Sequence, residues 1–422
     1  MRSPKNIWVY ADWVGIHGPL LVGQLSAEAG MNAEVFSFSY DKEWIQNWPA
    51  LFLDPDLMLF TGPQYTRDEK LNFGVFTDSS PDRWGRTLMQ RKESYNAQLE
   101  HRPASRLFES DYLHGVADQT RMGGLRFKLD PVGPFLDNDI ERPAPPIHHL
   151  RALETASYEM EAIGAENNPH YGEWMRILLA PGSSLGGARP KGSVMDLDGH
   201  LWIAKFPSRF DEYDIAAWEA VVAELARQAG INVAQGRAER YTGKHHTYLT
   251  KRFDRIAGTR IHFSSAMTLL GYTDGADGSE GVSYQHIAEF IMRAGAHPDE
   301  NMKELWKRMV FNICVSNTDD HLRNHGFLLG EQGWELSPAF DMNPVPGATH
   351  LKLNISEDDG LLSLKLAMEV AEAFRVSAKE AKELMGNITR VVKGWQTVAE
   401  KAGITRAEMT YMSSAFDIDA RL

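Results

Sequence analysis

The chain has 422 residues, 43% of them hydrophobic and 24% charged, the balance of an ordinary globular protein with enough apolar mass for two or three domains. A formal net charge of -13 disfavours a broad phosphate-contacting surface, so direct, independent nucleic-acid binding is not expected. One cysteine, Cys314, excludes an internal disulfide, and no stretch reaches the roughly 18 uninterrupted apolar residues of a membrane span. The N-terminus, MRSPKNIWVYADW, lacks the apolar run of a secretory signal. A cytoplasmic location with no membrane partner is therefore expected.

In chain order, Ile7 to Tyr10, Pro19 to Leu25 and Ala33 to Tyr40 read as strands of a small sheet, the first two about a His17-Gly18 turn. Ser80-Pro81 predicts a cap and first turn for a helix through DRWGRTLMQRK, whose Arg83, Arg86, Arg91 and Lys92 read as a solvated basic face. A helix is expected over Ser105 to Leu113 and a strand over Gly124 to Phe127. The tract PVGPFLDNDIERPAPP, from Pro131 to Pro146, has no periodicity and reads as a linker. Domains are expected over residues 1–130, 147–255 and 256–422.

Beyond the linker, helices are predicted over Ile147 to Ile163 and Gly172 to Leu179, followed by PGSSLGGARPKGSV. Adjacent Gly186 and Gly187, with Gly182, Ser183 and Ser184 before them, let backbone N–H groups approach an anion closely. The run matches neither G-x-x-x-x-G-K-[ST] nor G-x-G-x-x-G, and a flexible turn would look the same. Gly192 to Met195 and Leu201 to Phe206 then form a hairpin. Its second strand, LWIAKF, sets Lys205 on the face of Leu201 and Ile203, where a charged head calls for a partner. A helix from Asp214 to Gln228, ended by Gly230, carries a candidate partner in Glu219. Strands near Asn232 to Tyr241 and His246 to Phe253 flank a Thr242-Gly243-Lys244 turn.

LWKRMVFNICVS then places Leu305, Met309 and Ile313, with Trp306 and Val310 alongside, at helical spacing, and this helix should end near Ser316. The polar run Asn317-Thr318-Asp319-Asp320-His321 follows, and Asn324 lies five residues past Asp319. Strands over His325 to Leu329 and Trp334 to Ser337 return the chain and bring Asp341 toward both. Two carboxylates and one amide are hard oxygen donors suited to Mg²⁺. The succession of glycine-bearing loop, Lys strand, Glu helix, two strands, Asp-x4-Asn and Asp is the order of a protein kinase. Asp319 then reads as the base, Asn324 and Asp341 as metal ligands, and Lys205 as the ammonium that meets the α and β phosphates and pairs with Glu219. Backbone groups of Lys251, Arg252 and Phe253 would face adenine. His321 has no second His or Cys at ligand spacing, so a structural hydrogen bond rather than zinc is expected there. Helices over Tyr284 to Met292 and Leu361 to Phe374, and two opened by capping-box patterns at Ser377 to Glu380 and Thr405 to Glu408, complete the scaffold.

FTDSSPDRWGR (76–86), GGLRF (123–127), SSLGGARPK (183–191), IAKFP (203–207), KRFDR (251–255), NTDDHLRNHGFL (317–328) and LSPAFDMNP (336–344) together resemble the HipA family of bacterial serine/threonine kinases. These are the toxin halves of type II toxin–antitoxin pairs, and the likeness runs over nearly the whole chain. It implies an α+β, protein-kinase-like two-lobed fold with an extra N-terminal β-rich subdomain and a mostly helical C-terminal lobe. It implies ATP as cosubstrate, Mg²⁺ as metal, and phosphorylation of another protein, such as an aminoacyl-tRNA synthetase. By the same resemblance Ser184, Gly186, Gly187, Ala188 and Lys191 join Lys205 around the nucleotide, and Ser184, or its neighbour Ser183, is the self-modified residue. A HipB-like DNA-binding antitoxin is the implied partner. The chain departs from the family at Arg189-Pro190, where Gln-Glu or Gln-Pro is common, and at Asp320, where Gly is usual. A catalytically weak binding module that co-represses with the antitoxin is the second function class, and a small-molecule kinase the third.

Overall fold

The computed structural model describes residues 4–30, 33–67, 69–136, 144–179, 189–243 and 245–422. The glycine-bearing run, with Ser183, Ser184, Gly186, Gly187 and Ala188, lies outside the described residues. The chain divides into two compact units, one of residues 1–210 and 254–264, the other of residues 211–253 and 265–422. Lys205 falls in the first and Glu219, Asp319, Asn324 and Asp341 in the second.

The first unit opens with strands β1 (Lys5–Ala11), β2 (Leu20–Ala29) and β3 (Glu34–Tyr40), joined by β4 (Gln64–Tyr65) and β5 (Leu125–Lys128) in an antiparallel sheet of order β4-β3-β2-β1-β5. Registers such as Ile7↔Leu25 and Leu25↔Phe38 put Ile7, Val9, Leu25, Phe36 and Phe38 on one buried face, as period-2 alternation requires. Helix α1 (Arg83–Leu99) follows, capped by Asp82, whose Oδ1 accepts Gly85 N–H at 2.7 Å. Ser80 is not the cap: its hydroxyl turns back to Phe76 O at 2.8 Å, one turn earlier. Nor is the basic face of α1 simply solvated. Arg86 makes a two-pronged bond to Glu109 at 2.6 and 2.7 Å, and Arg91 donates to Met160 O. Helices α2 (Leu150–Met160) and α3 (Tyr171–Leu179) pack together, and β6 (Lys191–Met195) pairs with β7 (Leu201–Lys205) in the expected hairpin.

The second unit begins with α4 (Ile215–Gln228) and the hairpin β8 (Gly236–Glu239) with β9 (Thr247–Lys251). Its core is α6 (Pro298–Val315), which carries fully buried Leu305, Trp306, Met309, Val310 and Ile313 against α5 (Tyr284–Ala294) and α7 (Ala378–Val392). Cys314 is buried in the same stripe, and burial pushes its thiol up to about 12. A hairpin of β10 (Gly326–Gly330) and β11 (Gly333–Leu336) follows α6, and α8 (Trp395–Lys401) and α9 (Arg406–Met412) close the unit. Among the described residues no helix is long and apolar enough to cross a membrane.

Candidate active site

Helix α6 stops at Ser316, whose φ of +50° is left-handed and ends the run of i→i−4 bonds. Because the terminus is fixed by core packing, the polar loop that follows is held firmly. Asn317 Nδ2 donates back to Asn312 Oδ1 at 3.1 Å, and Asn324 Nδ2 donates to Asp319 O at 3.2 Å. The latter bond orients the Asn324 amide so that Oδ1 is its remaining donor atom toward a cation. The Asp319 carboxylate faces solvent, with 65% of its side chain exposed, and meets Lys352 at 2.6 Å. Its neighbour Asp320 faces inward. Its Oδ2 receives His325 Nε2 at 2.8 Å and the Tyr284 hydroxyl, and Tyr284 in turn receives Asn312 Nδ2 at 3.2 Å. Burial by itself would raise the Asp320 carboxyl, but His325 beside it and the two hydrogen bonds hold it below the ordinary carboxylate value. Burial, together with the Asp320 charge, drives the Tyr284 phenol well above its usual value. The acid pair is therefore two different groups, one open to a substrate and one a buried anchor.

Asp341 also has a left-handed backbone, with φ +59°, a conformation Asp tolerates better than most residues and one that recurs at functional sites. Its Oδ1 lies 3.4 Å from Asn343 Nδ2, and Asn343 N–H donates to Asn317 Oδ1 at 3.0 Å. Asn317 thus ties the Asp319 loop to the Asp341 loop, and Lys352 N–H adds a second tie to Thr318 O at 3.1 Å. Asp341 and Glu219 line one cavity of the second unit, with Ala223, Tyr248, Thr250 and Phe340 around them. Glu219 is 5% exposed on the inner face of α4. The donor set fits a hard divalent cation: Asn324 supplies an oriented amide oxygen, Asp341 a carboxylate, and neither offers sulfur or imidazole.

The other sequence candidates fall as follows. Lys205 ends β7 and is half-buried. Lys191 is almost fully buried in the first unit, its ammonium 3.3 Å from Asp82, the cap of α1. Lys251 N–H is engaged by Gln235 O at 2.7 Å and is not the donor available to a base. Arg252 is buried, and the Phe253 ring lies 5.6 Å from that of Phe340, the residue before Asp341. At His321, Nδ1 is buried with no hydrogen-bond partner among the described residues. Part of the motif set proves architectural. Asp254 of KRFDR accepts Gly123 N–H of GGLRF at 2.8 Å and pairs with Arg255 at 2.6 Å, while Arg126 bridges Asp12 and Asp118.

Sequence reasoning missed Asn317, Asn343, Tyr284, His325 and Lys352. Asn317 and Asn343 each lie two residues from a chosen Asp, which was a usable signal. Tyr284, 36 residues before Asp320, left none. It also missed a surface group at the β6–β7 turn, where Asp196, Asp198 and His200 place one ligand atom each within 4.8 Å of one another. Asp196 there is already occupied, accepting Asp198 and His200 N–H groups and the Trp202 indole.

A family model, the HipA-like C-terminal domain, matches residues 183–395. Y4mE of Sinorhizobium fredii, named as a candidate kinase, is 26% identical over 243 residues, 52% of this chain and 51% of its own length. The serine/threonine-protein kinase toxin HipA of Shewanella oneidensis is 25% identical over 157 residues, 32% of this chain and 36% of its own. The matches span about half or less of these relatives. Among solved structures, a chain of the Shewanella oneidensis complex of HipA, HipB and operator DNA superposes with a TM-score of 0.63 at 17% identity, covering 97% of this chain and 95% of that one. At that identity the likeness speaks to the fold, which is α+β and kinase-like.

Proposed function

The chain belongs to the HipA family, and on that premise we propose that it is an ATP- and Mg²⁺-dependent protein serine/threonine kinase. The observation that carries this reading is the pair of tied loops. A solvent-facing carboxylate, Asp319, stands on a loop bonded through Asn317 to the loop that bears Asp341, with the Asn324 amide held by its bond to Asp319 O. Asp319 accepts the proton of the substrate hydroxyl as the phosphoryl group leaves ATP, a role worth about 10²–10⁴-fold in rate. Mg²⁺ held by Asn324 and Asp341 would offset the charge of the triphosphate. Lys205 is assigned to the phosphates, with Glu219 its partner by chain order, and Arg252 and Phe253 to the base. Ser184, which lies outside the described residues, is proposed as the self-modified residue on the family resemblance, and the added charge there would oppose nucleotide binding.

The proposed substrate is a translation component such as an aminoacyl-tRNA synthetase, and the proposed partner a small HipB-like DNA-binding antitoxin. The latter is supported by the Shewanella oneidensis assembly, which contains HipA, HipB and DNA. Phosphoproteomics after brief expression tests the whole reading. Serine or threonine sites that rise with the wild-type chain and stay flat with Asp319→Asn are expected. Identical profiles for both would leave a nucleotide-binding co-repressor as the better description.

A further inference from the structure

Residues 408–421 reach α4, the start of the Asp319 loop and the segment that follows Asp341. At α4, Glu408 Oε1 accepts Asp214 N–H at 3.3 Å, and the Tyr213 and Tyr411 rings lie 5.7 Å apart. Trp218, next to Glu219 and fully buried, meets Phe416 at 5.8 Å and Trp395 at 5.9 Å, and the latter two rings stack at 4.6 Å and 15°. At the start of the Asp319 loop, Ser316 Oγ donates to Ala415 O at 2.8 Å and accepts from Arg421 Nη2 at 3.0 Å. Ser316 is fully buried and left-handed, and its carbonyl accepts Val345 N–H at 3.0 Å. Beyond Asp341, Ser414 Oγ accepts Gly347 N–H at 3.1 Å, and Arg421 Nη2 also lies 3.4 Å from Ala348 O.

We propose that residues 408–421 are a positioning strap that sets the geometry of the Asp319 and Asp341 loops against α4, with Arg421 as its buckle. The inference rests on the phosphotransfer reading for its kinetic consequence, but not for its structural one. An isolated Ser316 in a left-handed conformation is free to relax once α6 ends. A guanidinium that holds its hydroxyl and also touches the Asp341 segment removes that freedom for both loops at once. A strap of this kind changes the alignment of reacting groups more than the affinity for nucleotide.

The test uses the full chain with Arg421→Met, which removes the donors and keeps the stem, with Ser316→Ala as a second variant and Arg421→Lys as the conservative rescue. Expected is a fall in kcat of about 10–100-fold with KM for ATP changed by no more than about twofold, and partial recovery in Arg421→Lys. Tm should stay within about 4 °C of wild type. An unchanged kcat, or a KM rise that accounts for the whole loss, overturns the strap. If the wild-type chain transfers no phosphate, the kinase reading fails by itself and amide hydrogen exchange decides. Faster exchange across residues 317–324 and 341–348 in Arg421→Met supports the strap, and unaltered exchange overturns it.

Discussion

Asp319 and Asp320 are adjacent in sequence and opposite in environment, and two measurements separate them. Asp319→Asn keeps size and leaves only the exposed Lys352 contact behind, worth at most about 1 kcal/mol. Stability by urea unfolding should therefore be nearly unchanged while phosphotransfer is lost. Asp320→Ala leaves His325 Nε2 and the Tyr284 hydroxyl without their buried partner, so a loss on the order of 3 kcal/mol is expected. A loss below about 1 kcal/mol would mean the anchor is not what holds the loop. Since the Asp320 carboxyl is held below its unfolded value of about 3.9, its contribution is present above that pH and disappears as pH falls below it. Order along the chain nominates Asp319, Asn324 and Asp341. It could not distinguish Asp320, because the groups that bury it come from α5 and from the start of β10.

The central helix was legible at the scale of elements, since spacings of three and four name a buried stripe whatever packs on it. Ends and partners were less so. Ser377 and Thr405 cap their helices as their sequences suggest, accepting Glu380 and Glu408 N–H groups at 3.3 and 3.2 Å. The reciprocal halves of the two boxes go elsewhere, however, because Glu380 pairs with Lys303 and Glu408 accepts the Asp214 backbone N–H. The helix expected over Leu361 to Phe374 is two pieces, Leu364–Glu369 and a 3-10 turn Ala371–Phe374. Trp306 Nε1 takes Ala367 O at 2.9 Å, the carbonyl that a continuous helix would offer to Ala371. Helix α4 depends on Asp214, which accepts Ala217 N–H at 3.1 Å and His246 Nδ1 at 2.6 Å. Asp214→Ala should cost about 1–2 kcal/mol in chemical denaturation from the cap alone. It should also depress phosphotransfer, because α4 carries Glu219. Wild-type activity in that variant would detach the cap from the site.

Across the molecule, the motifs of the family divide into chemistry and architecture, and sequence alone does not mark which is which. KRFDR reads as one strand end, yet Lys251 to Phe253 belong to the second unit and Asp254 to the first, where it holds Gly123. The first unit holds two histidines that make it sensitive to acid. Burial lowers the His262 imidazole to about 3 and that of His114 to about 4. A histidine depressed below its unfolded value of about 6.5 contributes stability that is complete above that pH and is lost as pH falls toward the folded value, at up to about 1.4 kcal/mol per pH unit. Stability should therefore decline on acidification from about pH 6.5 to 4. His262→Phe retains the ring that stacks on Trp13 at 4.7 Å and should flatten the slope, whereas an unaltered slope would place the sensitivity elsewhere.

Under the proposed function, the tied loops of Asp319 and Asp341 move phosphate. Intact-mass measurement of the purified chain after incubation with ATP and Mg²⁺ tests it most directly. Added phosphate on the wild-type chain that is absent from both Asp319→Asn and Asp341→Asn is the expected result. Equal incorporation in the variants, or none in a wild-type chain that still binds nucleotide, would contradict it.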